Sequence, residues 1–302
     1  MRKQFCDALV ARASQPNVAF LTGDLGFMAL EPLQAALGKR FINAGISEQN
    51  MLSVAAAMCR TGLETWAYSI APFCYARPFE QIRNDVAFHD LPVKIVGNGG
   101  GYGYGVMGPT HHAIEDYGVL LTLPGVQACV PCFDEDIEAA IPFVAHLPHP
   151  VYLRLGRGEP PKGYVAPAFA PWRQLTHGDG PVLVAVGPLA STYIALCEGL
   201  PIAERPKLWA LSMLPIDIYQ PPQILLDQIK ASGRLLVAEE HVKRGGAGAE
   251  LVHWLVERGL APSRFVHHYA RAHRYERYGS QGYLRQQSGL DPESVAMALR
   301  SL

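Results

Sequence analysis

The sequence has little net charge and few charged residues of either sign. Lysine and arginine total 26 against 27 aspartates and glutamates, and charged residues make up 18% of the 302 residues. A net charge of −1 provides no basic field for nucleic acid or for an anionic membrane. A charged fraction below the typical value of about 25% indicates that partner chains cover part of the surface. We therefore expect an oligomeric protein that does not bind polyanions.

The sequence also lacks long apolar runs, a secretory leader and a dense cysteine pattern. No apolar run reaches the roughly 18 residues that a membrane span requires, and the N-terminal segment turns polar before a signal-peptide core could form. The six cysteines are scattered along the chain, unlike the closely spaced cysteines of a secreted disulfide scaffold. We therefore expect a cytoplasmic protein with reduced thiols.

Apolar segments that are typical of buried strands alternate with helical patterns along the chain. Residues 17–24 (NVAFLTGD) and 41–45 (FINAG) predict two strands, and residues 46–62 predict an Ala-rich helix that ends at Gly62. A further helix is predicted over about 76–89. This alternation predicts a mostly parallel α/β sheet that is covered on both faces.

A segment without periodicity divides the chain into two parts. Residues 164–180 are rich in proline, glycine and aromatic residues and predict a linker. A second series of strands and helices begins with the apolar segment 181–187 (PVLVAVG). We therefore expect an α/β protein of two doubly wound domains, with a mostly parallel sheet in residues 1–163 and a smaller domain in residues 181–302.

Three motifs in the first part carry residue types that are typical of catalytic and binding sites. Gly45–Asn50 (GISEQN) places Glu48 in the first turn of a helix, where an acid often only complements the helix dipole. Pro72–Asp85 (PFCYARPFEQIRND) and Gly108–Asp116 (GPTHHAIED) follow. Together these motifs resemble the pyrimidine-binding domain of transketolase-like, thiamine-diphosphate-dependent enzymes. Residues 239–250 (EEHVKRGGAGAE) resemble the C-terminal domain of that family.

The resemblance implies roles for several residues of the first part. Glu48 matches the glutamate that contacts the aminopyrimidine ring of the cofactor and shares a proton with it, which promotes loss of the thiazolium proton. Phe73 and Phe79 match aromatic residues that stack against that ring, although without the resemblance both would be assigned to the core. His111 matches a histidine of the substrate channel, where it would bind sugar hydroxyls or transfer a proton.

Two arginines match residues that bind a substrate phosphate in relatives. They are Arg157, in Leu153–Gly158 (LRLGRG), and Arg2. The planar donor fork of arginine suits a phosphate group, whereas a lone arginine is more often a surface group. The resemblance therefore implies that these two side chains bind substrate. The residue type alone does not.

The sequence departs from the family pattern on the substrate side. Met107 stands where relatives that act on phosphosugars have an acidic residue, and glycines 99–101 stand where they have a phosphate-contacting histidine. Met107 would line the substrate site but cannot accept a proton from a hydroxyl. This favours a deoxy, modified or differently activated sugar, or a 2-oxo acid. We interpret the glycine-rich loop over 97–108 as a flexible wall of a substrate channel.

The resemblance also implies a partner chain. In the family a separate N-terminal domain holds the cofactor diphosphate and its Mg²⁺ ion. Gly178–Gly180 (GDG) resembles the start of that domain's motif but runs directly into an apolar strand, so we interpret it as a turn. Cys129 and Cys132 have the C-x-x-C spacing of redox motifs, but no second cysteine pair is present that would complete a zinc site. This favours a structural role for both cysteines. We expect no metal ligands here, and an alpha-type partner subunit that supplies them in a heterotetramer.

The resemblance thus implies the beta-type subunit of a split, heteromeric transketolase that uses thiamine diphosphate. Its reaction would transfer a two-carbon ketol unit from a ketose to an aldehyde. One alternative is the beta subunit of a 2-oxo acid decarboxylase or dehydrogenase. Arg157 and the Thr-His-His motif favour the sugar enzyme over it, while Met107 and the glycine run weaken that preference. A second alternative is a non-catalytic regulatory subunit of the same fold, which the presence of Glu48, Phe73 and Phe79 disfavours.

Overall fold

The computed structural model describes residues 1–273 and 277–302 of the chain. The strands in these residues are β1 (Val18–Thr22), β2 (Phe41–Asn43), β3 (Glu64–Ile70), β4 (Lys94–Asn98), β5 (Gln127–Cys129), β6 (Val151–Leu155), β7 (Trp172–Gln174), β8 (Val182–Val186), β9 (Lys207–Leu211), β10 (Met213–Leu214), β11 (Arg234–Glu239) and β12 (Arg264–Tyr269). The α-helices are α1 (Arg2–Arg12), α2 (Glu31–Leu37), α3 (Glu48–Arg60), α4 (Ala71–Tyr75), α5 (Phe79–Gln81), α6 (Asp116–Leu120), α7 (Asp136–His146), α8 (Leu189–Glu198), α9 (Gln223–Ser232), α10 (Ala247–Glu257), α11 (Gln281–Gln287) and α12 (Pro292–Ser301). Short 3-10 helices occupy Gly38–Arg40, Gly105–Met107 and Pro109–His111, and a π-helix occupies Ile82–Ala87.

The strands form two sheets. The seven-stranded sheet has the order β10-β5-β6-β4-β3-β1-β2, and its strands are parallel except for β10. The five-stranded sheet has the order β12-β11-β8-β9-β7 and is parallel except for β7. The prediction of two mostly parallel α/β domains is therefore confirmed.

The central strands are apolar because both of their faces are covered. Every residue of β1, β6 and β8 is buried, as expected for strands inside a parallel sheet. Apolar residues of the helices pack against them, and α3 contributes Met51, Leu52 and Ala55 to the core. Among the described residues, no helix is both long and apolar enough to cross a membrane.

The proline-rich segment between the two parts is more ordered than its composition predicts. The expectation that residues 164–180 lack regular structure is wrong for Trp172–Gln174, which form the edge strand β7 of the second sheet. Trp172 and Arg173 are buried there. The Nη1 atom of Arg173 lies 2.7 Å from Oδ1 of Asp136 in α7. Burial of these two side chains outweighs the low strand propensity of the surrounding residues.

Candidate active site

The segments that carry Glu48, Phe73 and the glycine-rich loop lie at the carboxyl edge of the seven-stranded sheet. Strands β2, β3 and β4 end at Asn43, Ile70 and Asn98. The motif with Glu48 follows β2, the motif with Phe73 follows β3, and the glycine-rich loop follows β4. Because these strands are parallel, all three segments emerge at the same edge, where open α/β sheets bind their ligands.

Glu48 is the first residue of α3, and its side chain is only 8% exposed. The approach to the helix is a tight turn in which the Asn43 side-chain oxygen accepts a hydrogen bond from the Gly45 N–H at 2.9 Å. Gly45 has φ 71°, which glycine adopts without strain. The turn directs the Glu48 carboxylate inward at the positive end of the helix dipole. Its Oε1 atom lies 2.7 Å from Nη1 of Arg77.

Arg77 joins Glu48 to Phe73. Its guanidinium carbon lies 3.9 Å from the centroid of the Phe73 ring, so one planar group stacks on Phe73 and pairs with Glu48. The helix predicted over 76–89 begins only at Phe79, because Pro78 disfavours a helical conformation for Arg77, the residue before it. Sequence reasoning missed Arg77, although the Arg-Pro pair inside the motif signals this later start.

Phe79 lies in a different environment from Phe73. It begins α5 and packs, partly buried, against the hydrophobic core beside the first sheet. Phe73 is half-buried and lies against both Arg77 and His111. The structure thus brings Phe73 to Glu48, while the cofactor contact of Phe79 stays a prediction.

His111 extends this line of side chains toward the glycine-rich loop. Its ring centroid lies 5.2 Å from that of Phe73 and 6.2 Å from that of Tyr104, edge-on in both cases. The Tyr104 hydroxyl accepts a hydrogen bond from Nδ2 of Asn98 at 2.6 Å. Met107 ends the 3-10 helix of this loop and is 55% exposed. Sequence reasoning missed Tyr104, whose only signal is its place within the glycine run.

The two predicted phosphate-binding arginines are exposed. Arg157 follows β6, is 78% exposed, and pairs with Glu159 at 3.0 Å. Arg2 begins α1 and is exposed. Burial raises the pKa of Tyr68, Tyr104 raises it further, and the charge of Arg2 opposes the increase. Arg2 and Tyr104 therefore both influence the pKa of the buried Tyr68 hydroxyl in β3.

Arg154 is a buried arginine that sequence reasoning missed. Its Nε atom lies 2.8 Å from Oδ2 of Asp116, and both side chains are almost completely buried. Its Nη2 atom donates hydrogen bonds to the carbonyl oxygens of Ala113 and Glu240 at 2.8 and 2.9 Å. Arg154 therefore connects the motif that carries His111 to the second sheet.

Other candidate motifs do not form ligand clusters. Among residues 1–273 and 277–302, no group of three or more His, Cys, Asp or Glu side chains could hold a metal ion. Cys129 and Cys132 are buried and free, and burial raises the pKa of the Cys132 thiol to about 11, so neither has the acidity of a redox-active thiol. Asp179 lies in a bend whose backbone N–H donates to the carbonyl of Ile202.

Comparisons with known proteins agree on the family. The family model "Transketolase, pyrimidine binding domain" matches residues 4–162. The chain is 31% identical to one subunit of the apulose-4-phosphate transketolase of Phocaeicola vulgatus, over 88% of this chain and 86% of that protein. It is 27% identical to the subunit of the same name from Actinobacillus succinogenes, over 87% and 85% of the two chains.

A solved structure extends the likeness to the whole fold. The protein described as "Split gene transketolase, inactive beta4 tetramer" superimposes with a TM-score of 0.85 and 28% identity. The match covers 99% of this chain and 97% of that one, so it includes both sheets. With the edge site built around Glu48, these likenesses establish that the chain belongs to the transketolase family, as a beta-type subunit with the pyrimidine-binding and C-terminal folds.

Proposed function

We propose that this chain is the cytoplasmic beta subunit of a heteromeric transketolase that depends on thiamine diphosphate and Mg²⁺. The complex would transfer a two-carbon ketol unit from a ketose to an aldehyde, as part of carbohydrate metabolism. The observation that carries the proposal is the buried carboxylate of Glu48, 2.7 Å from a planar cation that stacks on Phe73.

The geometry around Glu48 fits the aminopyrimidine ring of the cofactor. The Arg77 guanidinium is flat, carries N–H donors, and contacts Phe73 and Glu48 together. An aminopyrimidine is also flat and would make the same two contacts, stacking on an aromatic face and hydrogen-bonding to a carboxylate. Arg77 is 47% exposed, so its side chain can move into solvent, and the cofactor ring would then replace it as the partner of the buried Glu48 carboxylate. The residues present therefore fit the cofactor.

Each side chain then has a role that its position supports. When bound, thiamine diphosphate supplies the carbon centre that accepts the two-carbon unit. Glu48, whose carboxylate is buried, would hydrogen-bond to a ring nitrogen of the cofactor and exchange a proton with it. Phe73 would provide the aromatic face on which the ring stacks. His111, whose ring lies edge-on to Phe73, would contact the substrate and donate or accept a proton at its hydroxyl groups.

Exposed apolar residues beside Glu48 support a partner subunit on this face. Phe27, Met28 and Ile46 are each more than four-fifths exposed. The segment that contains Phe27 is joined to the turn before α3 by a hydrogen bond from the Asp24 N–H to the Gly45 carbonyl. Exposed apolar side chains in one place are typical of an interaction surface. We propose that the alpha-type partner docks here and brings the diphosphate and Mg²⁺ ligands, in a heterotetramer.

The substrate side supports a modified sugar phosphate. Met107 presents a thioether where relatives that act on phosphosugars have an acidic residue, which disfavours ordinary phosphosugars. Arg157 and Arg2 are exposed cations near the same edge and are available to an anionic group. Relatives named for apulose-4-phosphate support a phosphorylated sugar over a 2-oxo acid.

Reconstitution with the partner subunit tests the proposal. Calorimetric titration of this chain alone should show no micromolar, Mg²⁺-dependent binding of thiamine diphosphate, because the diphosphate would find no ligands. The reconstituted complex should bind the cofactor and transfer a ketol unit from a ketose phosphate. Tight binding by the isolated chain would refute the division between two subunits. Release of CO₂ from a 2-oxo acid, without ketol transfer, would instead favour the decarboxylase alternative.

A further inference from the structure

The loop that carries Met107 and His111 is packed against the second domain. This substrate loop, residues 99–112, leaves β4 of the first sheet and contacts residues that follow β11 and the start of α11. The side chains that hold the loop in place therefore come partly from the second domain, outside the motifs that carry the predicted substrate residues.

The glycines of the substrate loop serve close packing and not flexibility, which corrects our interpretation of a flexible wall. A Cβ atom at Gly100 would lie 2.4 Å from Cγ of Arg154, and one at Gly101 would lie 2.8 Å from Cγ of Glu240. A Cβ atom at Gly105 would lie 2.4 Å from the carbonyl oxygen of Gly279. Real Cβ atoms do not approach other atoms this closely. Each glycine therefore permits one specific contact.

Glu240 is the side chain at the centre of this contact. Its Oε1 atom accepts hydrogen bonds from the backbone N–H of Tyr102 at 2.8 Å and from Nε2 of Gln281 at 3.0 Å. Its Oε2 atom lies 2.8 Å from Nη2 of Arg285. The side chain is 7% exposed. Burial opposes its ionisation, but Arg285, Gln281 and Arg154 outweigh burial and lower its pKa. Glu240 is thus a buried, ionised and fully paired carboxylate.

The base of the loop is closed by the same group of residues. Gly101 and Ala113 form an antiparallel bridge, and Arg154 donates to the carbonyls of both Ala113 and Glu240. Inside the loop, the ring Nε2 of His112 lies 2.9 Å from the carbonyl oxygen of Gly105. The loop is therefore held together by its own contacts, and Glu240 is a charged group of the second domain that binds it.

We propose that Glu240 is a positioning residue for substrate selection. From the second domain it fixes the substrate loop, and through the loop it fixes the places of Met107 and of His111, whose ring lies against Phe73. This inference rests on the function proposed above. It predicts that a change at Glu240 alters substrate use while the cofactor side of the site, at Glu48 and Phe73, stays intact.

Two variants at Glu240 test the proposal in the complex reconstituted with the partner subunit. Glu240→Ala removes the acceptor for the Tyr102 N–H and the partner of Arg285, so kcat/KM for ketol transfer should fall at least tenfold. Glu240→Gln keeps an acceptor for Tyr102 and should recover part of that loss. In both variants, deuterium exchange at the reactive thiazolium carbon should stay within threefold of the wild-type rate.

Asp136→Asn is the matched control. Asp136 pairs with Arg173, both are almost completely buried, and the pair joins α7 to the second sheet without touching the substrate loop. It should lower thermal stability while leaving kcat/KM for transfer within threefold of wild type. Gly105→Ala offers a second perturbation, because its Cβ atom would push the loop away from Gly279 with Glu240 unchanged. It should lower kcat/KM as Glu240→Ala does.

The outcomes separate this inference from the proposed function. If the wild-type complex neither exchanges the thiazolium proton nor transfers a ketol unit, the proposed function fails. If wild type is active and the Glu240 variants match Asp136→Asn in kcat/KM, the positioning role is wrong and Glu240 only stabilises the fold. Loss of exchange in proportion to loss of transfer would likewise overturn it, because the defect would then not be confined to the loop.

Discussion

Glu48→Gln removes the charge of the buried carboxylate while it keeps the shape of the side chain. In the structure this carboxylate pairs with Arg77 at 2.7 Å, and Arg77 is 47% exposed. Because water screens an ion pair with one exposed member, loss of the charge should cost about 1 kcal/mol of stability or less. We therefore expect Glu48→Gln to fold and to assemble with the partner subunit.

The expected effect on the chemistry is much larger than the effect on stability. An amide cannot exchange the proton that a carboxylate shares with the ring nitrogen of the cofactor. Removal of a positioned acid or base commonly lowers a rate by about 10² to 10⁴, which corresponds to about 3 to 5 kcal/mol of barrier. A barrier change that exceeds the stability change by this margin would identify Glu48 as the cofactor-activating group.

Deuterium exchange at the reactive thiazolium carbon, followed by NMR in the reconstituted complex, measures this barrier. Glu80→Gln is the matched control, because Glu80 is an exposed glutamate of α5 in the neighbouring motif and should exchange at the wild-type rate. If Glu48→Gln also exchanges within about threefold of wild type, under 1 kcal/mol of barrier, Glu48 does not activate the cofactor.

Further predictions concern the substrate side and the buried thiols. Arg157→Ala should raise the Michaelis constant for a phosphorylated substrate by the equivalent of about 1.5 to 3 kcal/mol; an unchanged constant for every competent substrate would remove Arg157 from the site. Met107→Asp should improve turnover of ordinary phosphosugars if Met107 excludes them, and assays with a set of such sugars would detect no gain if it does not. Tyr104→Phe removes the hydroxyl that Asn98 binds but keeps the ring, so it should lower kcat/KM about tenfold without affecting thiazolium exchange. Burial raises the pKa of Cys132 from 9.0 to about 11, so the folded state retains a proton that the unfolded state releases, and stability should fall as the pH rises from 9 to 11. In urea unfolding experiments, Cys132→Ala should remove about 1.4 kcal/mol per pH unit from that slope; an unaltered slope would contradict the assignment.

The central elements are predictable from sequence because their local pattern reflects their burial. The apolar segment 181–187 predicts β8, and every residue of that strand is buried. Residues 46–62 predict a helix that ends at Gly62, and α3 covers Glu48–Arg60 of this range, with Gly62 in a positive-φ conformation just beyond it. In such elements the residues that determine the structure lie within the element itself.

The remaining features depend on contacts between distant parts of the chain. β10 has two residues and is defined only by its pairing with β5. Arginine is most often a surface residue, so the sequence alone does not place Arg77 or Arg154 in a site. The fold brings Arg77 to Glu48 and Arg154 to Asp116. The same holds for Glu240, which a motif identifies as part of the family but which no local pattern places against Tyr102.

The pairing of β10 with β5 has a consequence for how the protein is made. On the ribosome, the first sheet can assemble β1 to β6 as they emerge, but its outer strand β5 has an open edge until Met213 and Leu214 have been synthesised. An open strand edge is a template for pairing with other chains, and partly folded nascent domains are prone to such errors. A fragment truncated at the end of β6 should therefore aggregate, whereas a chain that contains both complete sheets should remain dispersed.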